Sequence, residues 1–322
     1  MLGWPALSGP ILADPRTGRQ HVMAVLQALL VTFLWSTSWI LVKIGLDEHG
    51  LDPLSFAGMR YALAALILLP FGMRAMRAAN RAEPLGGRLL VRVAIYGLLF
   101  VAVAQGAQFA ALAVLPATAV SLVLSSIPMW VALMALAGGS ERATVGQAAG
   151  IGLLTLGAFL YFGPFEVEAG AATGFVAAAV CVGAAAVSSH LGRRLARDAI
   201  TRLGGPIGLT ASSMAVGAVV LLAVSLALEG WPTLDLTGVL IIGWLALVNT
   251  AFAFTLWNHT LRTLTAVESS VVNNTMTIQI AVLAIVFLGE RLGPLQLVGL
   301  LLAAAGAAIV QLAPVLRRRP QQ

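Results

Sequence analysis

The chain has 322 residues, 59% of them hydrophobic and only 10% charged, with a mean hydropathy of +0.94. Soluble domains carry about 25% charged residues, so a water-soluble fold of this length could not cover its surface, and the bilayer is the solvent that resolves the conflict. The net charge of +6 does not mark a nucleic-acid binder, because the basic residues fall in short clusters between apolar runs and no soluble basic domain is present to hold a duplex.

Residues 1–21 are rich in Pro and Gly and read as a cytoplasmic leader without regular structure. The apolar run that follows is too long for a signal-peptide core, and Trp35-Ser36-Thr37-Ser38 offers no small-x-small cleavage site, so it is expected to be retained as a first span. Runs of about 20 apolar residues can each cross the ~30 Å hydrocarbon core as a helix. The sequence places ten of them near 22–44, 54–73, 91–113, 116–138, 145–163, 170–191, 206–228, 237–258, 267–288 and 294–313. Asp52-Pro53, Leu115-Pro116, Gly163-Pro164, Gly204-Gly205-Pro206, Trp231-Pro232 and Gly293-Pro294 mark the breaks. Several of these prolines open a span, where a missing N–H costs little. The single cysteine, Cys181, lies inside an apolar run, which leaves no intrachain disulfide, no metal cluster and no expected cofactor.

Orientation follows from the loop bases. Alternate connections hold Arg16 and Arg19; Arg74, Arg77, Arg81, Arg88 and Arg92; Arg142; Arg193, Arg194, Arg197 and Arg202; Arg262; and Arg317, Arg318 and Arg319, which is 16 of the 19 basic residues. The other connections carry Asp47, Glu48, Asp52, Glu166, Glu168, Glu229 and Asp235, with Arg291 as their only base. Both termini are therefore expected in the cytoplasm, with a basic tail over 314–322.

Shifting the chain by 149 residues brings Leu115–Tyr161 onto Leu264–Val310 without a gap. Glu141-Arg142 falls on Glu290-Arg291, Gln147 on Gln296, Gly150 on Gly299 and Gly157-Ala158 on Gly306-Ala307. The shift spans an odd number of helices, so the two halves, 22–163 and 170–313, are expected to be inverted five-helix repeats. Such halves can exchange conformations and open a central site to each side in turn.

These residues resemble the drug/metabolite transporter superfamily, specifically the EamA family. The likeness rests on Leu34-Trp35-Ser36, Asp52-Pro53 followed by Arg60, Pro128 inside the fourth span, and the Glu141-Arg142 and Glu290-Arg291 span ends. It covers about 22–313, and departs where Ala137-Gly138-Gly139-Ser140 stands against Val286-Phe287-Leu288-Gly289. The resemblance implies export or exchange of amino acids or related metabolites across a bacterial inner membrane.

Polar groups deep in a bilayer normally face a bundle interior or a cavity. The ninth span holds Asn273, Asn274, Thr275, Thr277 and Gln279, and Asn274 matches Ser125, beside Ser126, in the fourth. Pro128 cannot donate to the Leu124 carbonyl, which leaves that oxygen available. Trp35, Ser38 and Trp39 in the first span, Trp130 in the fourth, Gln105 and Gln108 in the third, and Asn249 with Thr250 in the eighth complete the cavity candidates. Against each stands plain interhelical packing, worth ~0.6 kcal/mol per hydrogen bond. Arg60 is a candidate contact for a substrate carboxylate, or else a side chain that snorkels outward or caps carbonyls of a neighbouring helix. Glu268 is a candidate for proton coupling, or else the end of a capping box begun by Thr265. Lys43 reads as an interfacial anchor, and Trp231 and Trp257 as belt residues. Gly146 and Gly150, with Ala303-Ala304-Ala305-Gly306-Ala307, suit a scaffold between the halves or a homodimer face.

An intramembrane enzyme would need a nucleophile–base pair, a metal set or a carboxylate pair at depth, and the spans carry none. A channel filter or ring of like charge is likewise absent from the sequence. A transporter of small molecules within the lipid bilayer is the expectation. Within that class, export of amino acids competes with export of hydrophobic or cationic drugs, and the lack of a midplane acid disfavours cations.

Overall fold

The computed structural model describes residues 15–79, 86–137, 144–163 and 169–317. The chain runs through α1 (Pro15–Asp47), α2 (Pro53–Ala79), α3 (Gly87–Gly97), α4 (Ala104–Val114), α5 (Ala117–Leu124), α6 (Ile127–Ala137) and α7 (Val145–Phe162). It continues through α8 (Ala169–Asp198), α9 (Gly205–Leu228), α10 (Leu236–Trp244), α11 (Ala253–Thr260), α12 (Ala266–Phe287) and α13 (Pro294–Arg317). Two π-helical stretches, Leu98–Val103 and Leu245–Phe252, carry α3 into α4 and α10 into α11. Among the described residues, nine helical stretches are long and apolar enough to cross a membrane, and Val271–Phe287 within α12 is a shorter apolar one. The protein is an all-α, multi-span membrane protein. Residues 1–14, Arg81, Glu141, Arg142, Pro164, Glu166, Glu168 and the tail from Arg318 lie outside the described residues.

Local chemistry sets where these helices start. At α7, Thr144 Oγ1 accepts from the Gln147 N–H at 3.0 Å while Gln147 Oε1 accepts from the Thr144 N–H at 3.0 Å. Before α13, Gln296 Oε1 accepts from the Gly293 N–H at 2.9 Å. Asp235 accepts from the Gly238 N–H at 2.7 Å and so opens α10. Each contact satisfies a helix-start donor that has no partner within its own helix. Pro128 acts in the other direction: α5 ends at Leu124, and α6 restarts at Ile127 after a turn through Ser125 and Ser126.

Packing then groups the helices. α2 lies against α9 and α7 against α13, while α1 packs on α12 and α4 on α8. The α7–α13 seam is backbone on backbone. A Cβ on Gly157 would stand 2.4 Å from the Ala303 nitrogen, and one on Gly306 would stand 2.4 Å from the Leu154 nitrogen. Small residues permit this approach, and in lipid the close van der Waals contact itself drives association. Phe56, Phe109, Leu112, Met214 and Leu245, each under 2% exposed, fill the centre of the bundle. At the end of the bundle carrying Glu290, α5 meets α12; α6, beyond the Pro128 break, leans on α8 and α13 instead.

Candidate substrate-binding region

Much of the polarity predicted within the membrane collects around α1 and the second π stretch. Ser36 donates to Gln279 Oε1 at 2.9 Å, joining α1 to α12. The Gln279 amide nitrogen in turn donates to Thr275 at 2.9 Å and to Thr32 at 3.3 Å. Asn249 reaches α1 from the π stretch, its Nδ2 donating to the Leu34 carbonyl and, at 3.2 Å, to the Thr37 hydroxyl. Trp35, between Leu34 and Ser36 on α1, packs on Phe254 and Trp257, with ring centroids 5.2 and 5.3 Å away. Trp257, three residues from the end of α11, is half-buried against another indole, and Trp231 is 86% exposed. Ser38 and Trp39 are buried on the same helix.

The π winding explains how two adjacent residues serve two neighbours. Asn249 turns to α1, while Thr250 accepts from Arg60 Nε of α2 at 3.1 Å and donates to the Leu245 carbonyl at 2.8 Å. A π bulge inserts an extra residue into a helix and commonly marks a working site. Arg60 is 5% exposed, with its guanidinium carbon 5.3 Å from the Tyr61 ring centroid and 6.0 Å from that of Phe109. Tyr61 donates its hydroxyl to Gln105 Oε1 at 2.7 Å. The expectation that Arg60 snorkels outward does not describe this side chain, which turns into the bundle instead.

The remaining candidates lie apart from this network. Asn274 Oδ1 accepts from Gln311 of α13 at 3.0 Å, so its side faces a helix that the sequence reading assigned to scaffold. Asn273 is exposed, and Thr277 and Gln108 are half-buried. Ser125 and Ser126 hydroxyls donate back to Leu122 and Val123 carbonyls at 2.6 and 2.7 Å. Trp130 is 47% exposed and, with Ser126, Val182 and Gly183, lines a groove of about 350 Å³ between α6 and α8. Glu268 completes the capping box with Thr265, accepting from its N–H at 2.8 Å, and lies 3.0 Å from His21. Those contacts occupy the carboxylate at the start of α12. Lys43 donates to the Leu112 carbonyl at 2.9 Å and pairs with Asp47 at 3.2 Å.

Three of the buried polar atoms in these groups have no hydrogen-bond partner: Trp35 Nε1, Asn249 Oδ1 and Asn274 Nδ2. Leaving such an atom unmet costs about 1–3 kcal/mol. Sequence reasoning missed the partners Thr32, Tyr61 and Gln311, because a single hydrophilic residue in an apolar run does not announce which helix it meets.

Apolar helices of spanning length, packed around buried hydrogen-bonding groups, define a polytopic membrane protein. The chain belongs to the EamA-like transporter family, whose model matches residues 22–163 and 171–312. It is a small-molecule transporter of the drug/metabolite transporter superfamily, and that family is not one of enzymes. It is similar to the "Probable terminal-alkyne amino-acid exporter" of Streptantibioticus cattleyicolor, with 27% identity over 92% of this chain and 96% of that one. It is also similar to the "Probable amino-acid metabolite efflux pump" of Salmonella typhimurium, 27% identical over 88% of this chain and 92% of that one. The Escherichia coli protein of the same description is 26% identical over the same shares. A solved crystal structure superposes with a TM-score of 0.61 at 20% identity, covering 90% of this chain and 99% of its own, which establishes likeness of fold.

Proposed function

We propose that the protein exports small zwitterionic or neutral metabolites, amino acids above all, across a bacterial inner membrane. The observation that carries this reading is the neutral polar network between α1, α12 and the second π stretch, with the unpartnered indole N–H of Trp35 on the same α1. Asn249 Oδ1 is an acceptor suited to an ammonium group, and Trp35 Nε1 is a donor. A neutral acceptor can hold the ammonium end of a zwitterion without the cost of a buried protein acid. The descriptions of the three relatives, all exporters or efflux pumps of amino-acid compounds, favour the same class and direction.

The mechanism is alternating access between two inverted five-helix halves, both termini lying in the cytoplasm. Two internal parallels support it: a π stretch in the third and again in the eighth apolar helix, and Gln147 and Gln296 each accepting a backbone N–H three residues upstream. The close α7–α13 seam suits a fixed spine against which the rest moves.

The test is to feed cells alanine- or phenylalanine-containing dipeptides, which are hydrolysed inside, and to follow free amino acid in the medium. Expression should speed efflux and raise tolerance to toxic amino-acid analogues. If both stay unchanged across a broad panel, export of hydrophobic compounds becomes the better reading.

A further inference from the structure

We propose that Arg60 is the anchor for a single carboxylate group of the transported molecule, an inference that rests on the small-metabolite reading above. Arg60 stands seven residues past Pro53 in α2, about 10 Å along the helix at 1.5 Å per residue. A guanidinium keeps its proton in proteins, so a full positive charge sits inside the bundle at a depth where charges are costly. Among the described residues no acid pairs with it. The ion pairs of the described residues are His21–Glu268, Lys43–Asp47 and His49–Asp235, all at the ends of helices. Glu229, the acid at the near end of α9, is taken up by the first turn of α2.

What Arg60 does hold accounts for only part of its capacity. Nε donates to Thr250, and the Tyr61 and Phe109 rings flank the guanidinium carbon. Those contacts fix the plane of the group and leave its two terminal nitrogens, the edge that matches a carboxylate with two parallel N–H···O bonds. Each of the three neighbours is itself held. Thr250 is bonded to Leu245 and Tyr61 to Gln105, and the Phe109 ring meets Phe56 edge-on at 5.2 Å. A positioned cation with its forked edge unused is a recognition element, whereas a purely structural arginine would spend that edge on carbonyls or an acid. One cation balances one carboxylate. A phosphate ester or dicarboxylate would leave an uncompensated negative charge at the same depth, so monocarboxylates are the fitting class.

The experiment uses the full-length protein in proteoliposomes with one matched series. It comprises an amino acid that the protein exports, its amide, its methyl ester, the corresponding amine and the amine-free carboxylic acid. Competition for transport and ligand-induced shift of the melting temperature are both read. On the wild type, the compounds with a free carboxylate should compete at least tenfold better than the amide, ester or amine. Arg60→Lys should keep that preference at reduced affinity, and Arg60→Gln should abolish the preference, so that acid and amide compete equally. The proposal falls if the wild type takes the amide or ester as well as the acid, or if Arg60→Gln still discriminates. The wild-type comparison decides even where a variant fails to fold. Because no transported amino acid need exist, the melting shift is also measured with simple monocarboxylates. A shift with these and none with amino acids leaves Arg60 standing and removes the amino-acid reading. Amino acids acting equally with their amides does the reverse.

Discussion

Glu229, at the end of α9, accepts both the backbone N–H and the hydroxyl of Ser55, at 2.8 and 2.9 Å, and so closes the first turn of α2. Its other oxygen accepts from the Leu54 N–H at 2.9 Å. Glu290, after α12, treats α5 in the same way, accepting from the Ala117 N–H at 2.6 Å and from the Thr118 N–H and hydroxyl. A carboxylate over a helix start meets unpaired donors and the positive end of the helix dipole together. These two acids tie four helices at one end of the bundle.

Removing such a clasp should therefore cost stability. Glu290→Ala is expected to destabilise the protein by about 2 kcal/mol, the scale of hydrogen bonds to a charged group. Thermal unfolding in detergent measures it. Thr118→Val should add little in the Glu290→Ala background beyond the loss of its 2.7 Å contact with Tyr161. Full additivity of the two changes would mean that the clasp does not act as one unit.

The seam between α1 and α12 separates transport from packing. Gln279→Leu removes contacts to Ser36, Thr32 and Thr275. At ~0.6 kcal/mol for an average interhelical hydrogen bond, the expected stability loss is only about 1–2 kcal/mol. Efflux should fall at least tenfold at normal abundance. Asn274→Leu, and Ser125→Leu combined with Ser126→Leu, should act alike. Unimpaired efflux in all of them would reduce this polarity to helix adhesion.

Topology is checked by thiol labelling. Cys181 is 2% exposed and should stay silent toward an impermeant reagent. Cysteines at Glu48 and Asp235 should react in whole cells, and cysteines at Arg88 and Arg262 should not. The reverse pattern would invert the orientation expected from the loop arginines.

Acid should release the start of α10. The Gly238 N–H above all, and then His49 at 2.8 Å, hold the Asp235 carboxyl below its ordinary range. A carboxylate with a depressed value stabilises the fold above its unfolded pKa of about 3.9, and that contribution fades as the pH falls through the folded value. Wild type should therefore melt above Asp235→Asn at pH 7, and the two curves should converge as the pH drops below about 4. A constant gap down to pH 3 would contradict the assignment.

The apolar runs and Pro or Gly breaks located the helices well, because hydrophobic length and turn chemistry are properties of neighbouring residues. Thr265 and Glu268 were legible as a cap for the same reason, their contact spanning three residues. The π stretches were not, since Leu98–Val103 and Leu245–Phe252 differ in no residue type from the α-helices that flank them. Nor was the direction taken by Arg60, which distance along α2 placed near an interface but whose partners Thr250 and Phe109 come from other helices. Asn274 was recognised as deep and polar, yet only tertiary packing could reveal that it meets Gln311.

The seam between α7 and α13 has a consequence for how the gene can vary. At Gly150, Gly157, Gly299 and Gly306 the nearest obstacle to a Cβ is the partner helix's main chain, at 2.8, 2.4, 2.6 and 2.4 Å. Main chain cannot swing aside as a rotamer does, so tolerance there is not graded by side-chain size. Even alanine forces one helix to shift against the other. The four positions thus work as an on–off filter on mutation, while the lipid-facing residues beside them, such as Leu156 and Leu301, are free to exchange among apolar types.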